Sequence, residues 1–130
     1  MNWVELQANP SKTEVHAVNL NETPKLPFED ASFDAITNAL SVDYLTSPLD
    51  VFREMYRVLR PGGTAHMAFT NRCFPNMVVP LWLSPFDDAK HIEYVGDLYH
   101  FSGDWKEIQC VDVTETGWGK DPMYVVRAEK

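Results

Sequence analysis

At 130 residues the chain is long enough for one compact domain with its own core and too short for two of ordinary size. Hydrophobic residues make up 45 % and charged residues 23 %, a globular balance that excludes wholesale disorder. The formal charge of −8 argues against a nucleic-acid or anionic-membrane partner, since phosphate binding wants Lys and Arg in excess; Arg53, Arg57 and Arg60 come closest to a basic stripe.

Residues 1–13 read as a start that is helical for a turn or two at most. Glu14 to Val18 alternates weakly and predicts a short strand, stopped by Asn19-Leu20-Asn21-Glu22-Thr23-Pro24. A polar loop with two apolar plugs, Leu26 and Phe28, leads into Phe33 to Leu40, a strand with the low charge of one buried on both faces. Ser47-Pro48-Leu49-Asp50 then announces a helix: a capping hydroxyl, Pro at the first position and an acid three residues after the cap. Leu49, Phe52, Met55, Tyr56 and Leu59 recur at three- and four-residue spacing as one apolar stripe, and Pro61-Gly62-Gly63 is expected to end the helix.

Thr64 to Thr70 reads as the next strand, and strand–helix–strand succession predicts parallel neighbours. Phe74 to Leu83 predicts a short helix made irregular by Pro75 and Pro80, and His91 to Phe101 a further one. Ile108 to Val113 and Met123 to Ala128, separated by Gly117 and Gly119, predict an antiparallel pair at the sheet's edge.

Cys73 and Cys110 form no CxxC or Cys/His pattern and read as reduced, buried residues. His16, His66, His91 and His100 lack ligand spacing, so no metal is expected. With no basic and apolar leader, and no run near the ~18 apolar residues of a membrane span, a soluble intracellular protein is expected.

Leu26-Pro27-Phe28-Glu29-Asp30-Ala31-Ser32-Phe33-Asp34, with Arg57-Val58-Leu59-Arg60-Pro61-Gly62-Gly63 after it, resembles the methyltransferase type 11 branch of the class I S-adenosylmethionine-dependent methyltransferases. The two segments stand in the family's order, with a strand and a helix between them. Downstream, Phe69-Thr70-Asn71-Arg72-Cys73-Phe74-Pro75 and Asp121-Pro122-Met123-Tyr124-Val125-Val126 resemble one subfamily. Met1-Asn2, Glu5-Leu6 and Asn9-Pro10 are similar to the segment after its second strand.

The resemblance implies an α/β fold: an incomplete Rossmann-like class I methyltransferase sheet, with strands equivalent to the third through seventh and an antiparallel C-terminal pair. Residues 1–130 would form a single partial methyltransferase domain. It also implies S-adenosylmethionine as cofactor. The Gly-rich turn that grips the cofactor's methionine end has no counterpart here, because Gly62-Gly63 precedes a strand and Gly117-Trp118-Gly119 sits in a late turn. The acid that binds ribose hydroxyls is missing too.

By the same resemblance, Asn19 and Leu20 face the adenine, with Asn19 where an Asp is common. Asn38, Ala39 and Leu40 line the methionine portion. Each has a plainer reading as a turn or strand end. Tyr44 either orients a substrate or plugs the helix start. Asn71 and Arg72 lie past a strand's carboxyl end, the ligand edge of an open α/β sheet; Arg72 either meets an acidic substrate group or forms a structural ion pair. His91 and His100, with Tyr94 and Tyr99, could border an acceptor pocket. No catalytic base is identified, and transfer from a sulfonium depends more on alignment than on acid–base chemistry.

In this family the strand before the Gly-rich turn lies beside the one equivalent to Phe33–Leu40. Without it that edge is bare, so pairing is expected there, by a migrated N-terminal strand, a homodimer or a complementing chain; the alternative outcome is a chain that folds only marginally. Function divides accordingly. The chain is a methyltransferase family member of unknown acceptor, either an inactive fragment of an active parent or a partner that completes a site with another chain, or it is a non-catalytic interaction or regulatory domain that kept the half-fold.

Overall fold

The computed structural model describes residues 3–83, 87–117 and 119–130; Met1-Asn2, Ser84-Pro85-Phe86 and Trp118 lie outside them. Helix α1 spans Trp3–Ala8 and strand β1 Phe33–Ala39. A short 3-10 turn at Val42–Tyr44 precedes helix α2, Pro48–Val58, and strand β2, Leu59–Phe69. Helices α3, Pro80–Leu83, and α4, Asp88–Ser102, are followed by strands β3, Lys106–Asp112, and β4, Tyr124–Glu129. No helix among the described residues is long and apolar enough to cross a membrane.

The four strands form one sheet in the order β1-β2-β4-β3. β1 and β2 run parallel, joined through α2; β4 is antiparallel to both β2 and β3, so the expected C-terminal hairpin closes one edge.

Residues 14–18 form no strand. A strand needs a neighbour to take up its backbone N–H and C=O groups, and this segment does not pair with the open side of β1. It docks through rings instead. His16 packs edge-on against Phe28 at 5.0 Å, and Phe28 against Phe33 at 4.7 Å. The sheet therefore holds equivalents of four of the five expected strands, and no N-terminal strand among the described residues has migrated to β1.

Helix α2 forms where the stripe places it, but ends differently. Ser47 makes no side-chain cap hydrogen bond; Pro48 has already removed one N–H that would need a partner. The helix stops at Val58, and Pro61-Gly62-Gly63 lies inside β2, in a bulge between the pairings Phe33–Leu59 and Ala35–Thr64. Gly62 takes φ +80°, and a Cβ on Gly63 would sit 2.9 Å from the Arg60 carbonyl oxygen and 3.0 Å from that of Asp34. Only glycine lets the two strands approach this closely. Of the helix expected over Phe74–Leu83, only Pro80–Leu83 forms, because Pro75 and Pro80 break the ladder before it.

The core lies on one face of the sheet. Leu59, Ala65, Met67, Phe69, Val126 and Ala128 are buried there, with Val51, Phe52, Met55 and Val58 of α2. Phe52 meets Tyr99 of α4 edge-on at 4.8 Å, and Trp105 packs at 5.0 Å against both Tyr99 and Tyr56. Emptying a site such as that of Phe52 costs about 3–5 kcal/mol. On the opposite face Ala35, Thr37, Ala39 and Arg127 are exposed, so β1 is not buried on both sides. The cysteines also depart from expectation. Both are free thiols, but Cys73 is only half-buried and Cys110 is exposed, because β3 is an edge strand with few neighbours to cover it.

At the sheet's amino end, Arg57 joins loop to helix. Its guanidinium donates to Glu54 Oε1 (2.9 Å) and Oε2 (2.8 Å), Asp30 Oδ1 (2.6 Å), and the carbonyls of Phe28 (2.9 Å) and Leu26 (3.2 Å). Glu54 accepts from the Leu26 N–H at 2.9 Å. Arg60 reaches Asp34 at 2.6 Å. Lys130 Nζ donates to the carbonyls of Tyr56 (2.7 Å) and Leu59 (2.8 Å), placing a cation at the negative end of α2.

Candidate functional site

β1 and β2 both end at the same edge, and the chain leaves each of them in a different direction. After β1 the chain turns at Leu40, whose φ of +54° is unusual for a branched side chain and whose N–H donates to the Ala68 carbonyl at 2.9 Å. After β2 it leaves through Thr70. The gap between the two paths is a cleft of about 440 Å³. Leu40, Asp43 and Tyr44 line one side, and Phe69, Thr70, Arg72, Cys73 and Phe74 the other.

Asp43 is the buried charge of this cleft, only 6 % exposed. The 3-10 turn directs it inward, and its carbonyl accepts from the Val79 N–H at 2.9 Å, fixing that turn against the segment before α3. Burial raises its carboxyl above the usual carboxylate range, against smaller opposing effects from its own backbone N–H and from His91. Tyr44 is raised as well, by burial first and then by the nearby Asp43 and Cys73.

Arg72 stands at the rim and is paired with Asp121 at 2.9 Å, the structural ion pair of its two readings. Asn71 turns away from the cleft and donates to Asp88 Oδ1 at 3.0 Å. Asp88 also accepts from the Tyr124 hydroxyl at 2.8 Å, which, as the main cause, pushes that phenol up to about 12.

His91 is buried in the first turn of α4, stacked on Trp82 at 4.3 Å, with Nε2 3.4 Å from the Trp82 carbonyl oxygen. It is not among the residues lining the cleft, and its charge acts on Asp43. His100 is exposed in the last turn of α4, against Phe101. Twelve residues of helix, about 18 Å, separate it from Asp88, so the structure does not bring it to the cleft.

Asn38 accepts from the Ser41 hydroxyl at 3.0 Å, and Ala39 is exposed at the strand end. Asn19 and Leu20 lie in a turn closed by the Glu22 and Thr23 N–H groups donating to the Asn19 carbonyl, and Leu20 packs against the core. Asn21 places this turn: its amide donates to the Tyr44 carbonyl and accepts from the Thr46 N–H, both at 2.9 Å. Sequence alone does not single out Asn21, although an amide is the side chain that can both donate and accept across such a gap.

A family model for a methyltransferase domain matches residues 3–67, half of the chain. The malonyl-[acyl-carrier protein] O-methyltransferase of Marinomonas sp. (strain MWYL1) is 43 % identical over 71 residues, 55 % of this chain and 26 % of that protein. The demethylmenaquinone methyltransferase of Listeria monocytogenes serotype 4a is 33 % identical over 101 residues, 75 % of this chain and 40 % of that one. The chain thus spans well under half the length of these relatives. Among solved structures, a methyltransferase from Mesorhizobium loti superposes with TM-score 0.62 at 14 % identity, covering 95 % of this chain and 73 % of its own. One from Aquifex aeolicus gives 0.58 at 22 %, covering 88 % and 53 %. At such identities the likeness is one of fold: a Rossmann-like α/β sheet, here partial.

Proposed function

The chain belongs to the methyltransferase domain family, and on that premise we propose that its cleft is the acceptor-side half of an S-adenosylmethionine-dependent methyl-transfer site. The observation that carries this is position. The largely apolar cleft opens at the carboxyl ends of the parallel pair β1 and β2, where open α/β sheets take their ligands.

The residues present fit one flank of the cofactor. Leu40, half exposed, and Tyr44 offer an apolar wall, with Asn38 at the end of β1 and Asn19 in the turn that Asn21 ties to Tyr44 as the amides of this flank. The opposite flank needs a Gly-rich turn, which the sequence does not contain. In this reading the missing flank comes from polypeptide lying along the edge of β1 that no described strand covers, whether a further part of the same protein, a second copy or another chain. Residues 1–130 then act as one partial domain. When bound, S-adenosylmethionine supplies an electrophilic methyl group on a sulfonium. The chain's own part is to orient the acceptor and keep water out: Phe69 and Phe74 wall the cleft on one side, Tyr44 on the other.

A non-catalytic interaction domain is the competing reading, favoured by the same bare edge and by the exposed face of β1. Calorimetric titration with S-adenosylhomocysteine, repeated across a concentration series in sedimentation, separates the two. Micromolar binding, stronger where the chain self-associates, supports the methyl-transfer site. No binding at millimolar ligand, in monomer and oligomer alike, removes the self-completed site and favours the interaction domain.

A further inference from the structure

We propose that the cleft binds a compact organic cation, an ammonium carried on an apolar or aromatic body, with the Asp43 carboxylate as its counter-ion. The proposal rests on the reading of this cleft as the acceptor side of the site and adds the chemical class of the acceptor. The ammonium anchors it to Asp43, and the methyl goes to another atom of the same body that carries a lone pair, since a protonated nitrogen has none.

Asp43 is more than nine-tenths buried, yet it lines the cleft. A buried carboxylate is costly unless an opposite charge or several donors meet it. Among the described residues no Lys, Arg or hydroxyl side chain hydrogen-bonds it; the groups that act on it are its own N–H and His91. The other titratable groups facing it are Tyr44 on its own turn and Cys73 and Arg72 from the segment after β2.

Arg72 is the one cation lining the cleft among the described residues, and Asp121 holds it at the rim. What remains inside is one negative charge amid Tyr44, Phe69 and Phe74. Aromatic faces attract a cation in addition to the Coulomb term. An anion of the same shape would be forced against a buried carboxylate, and the chain's charge of −8 also draws cations toward it.

The test needs no cofactor. Phenethylamine and 3-phenylpropanoate, alike in body and opposite in charge, are titrated into the chain and followed by amide shifts of residues 40–44 and 69–74. Phenethylamine should bind at least tenfold more tightly, and Asp43→Asn should abolish the difference. In the wild-type chain its affinity should also fall as the pH is lowered through the Asp43 titration, since the alkylammonium stays charged throughout. That profile holds even where the variant folds poorly.

Equal affinity for the two probes, or a flat profile, overturns the proposal. A second pair identifies the source of the cation. If S-adenosylmethionine outbinds S-adenosylhomocysteine, Asp43→Asn erases that gap, and phenethylamine binding is unchanged by the variant, the carboxylate serves the sulfonium and the acceptor assignment fails. Phenethylamine binding without any S-adenosylhomocysteine binding would instead remove the self-completed methyl-transfer site and leave the cation site standing.

Discussion

The two ends of the parallel strand pair solve opposite problems with charge. At the amino end, charges are satisfied many times over: Arg57 makes five hydrogen bonds to Glu54, Asp30 and two carbonyls, and Arg60 and Lys130 add their own. At the carboxyl end Asp43 is buried with little to offset it; left-handed backbone occurs at both ends, at Ala31 and at Leu40, so the buried charge is what sets this end apart. One end is built to hold the chain together. The other keeps costly features in place around a cleft, as sites that must recognise something else do.

If that contrast is correct, the largest loss of stability should come from a change at the amino end. Arg57→Ala removes all five bonds and leaves Glu54, already partly buried, without its cation. We expect a loss of about 2–4 kcal/mol, read as a lower urea midpoint. The loss should shrink in acid. Arg57's hydrogen bond, more than any other contact, holds Glu54 below the usual carboxylate range. Its contribution is therefore present above the unfolded carboxyl pKa, about 4.3, and disappears as pH falls through the lower folded value. A full-sized penalty at pH 2 would mean that packing of the Arg57 side chain, and not its ion pair, carries the effect.

This clamp also explains why the sequence was legible where it was. The two segments that carried the family resemblance, Leu26 to Asp34 and Arg57 to Gly63, are in contact through Arg57 and Arg60, so their residues are constrained together. Helix α2 and the terminal hairpin were readable because their patterns are local. The cleft was less so. Asp43 is set by Val79, whose N–H meets its carbonyl, and by the charge of His91 on α4, both supplied by distant parts of the chain. The strand expected at 14–18 failed for a related reason: alternation marks a segment able to pair, and only a neighbour makes it a strand.

A smaller effect is expected where the strands themselves touch. Gly63→Ala would drive a Cβ to 2.9 Å from one backbone oxygen and 3.0 Å from another, neither free to move. Forcing β1 and β2 apart there should cost about 1–3 kcal/mol. Gly62→Ala meets nothing within 4 Å and faces only the positive φ, about 1–2 kcal/mol. Thermal melts of the pair should rank Gly63→Ala below Gly62→Ala. The reverse order would place the strain in the backbone turn and remove the close strand approach from the account of this end.

The smallest effect, and the one most particular to the cleft, concerns pH. Burial raises Asp43 in the folded state, so the folded chain binds its proton more tightly than the unfolded one. The sign is the opposite of the Glu54 case: as pH rises from the unfolded value of about 3.9, stability is lost until the folded carboxyl has also ionised. Asp43→Asn removes this dependence. The variant should therefore gain on the wild-type chain through that window and hold a constant lead above it, measured as the difference in urea midpoint from pH 3 upward. A variant that loses stability as pH rises would show that the ionised carboxylate is held by contacts within the chain. Asp43 would then belong with Arg57 as part of the scaffold, and the contrast between the two ends would disappear.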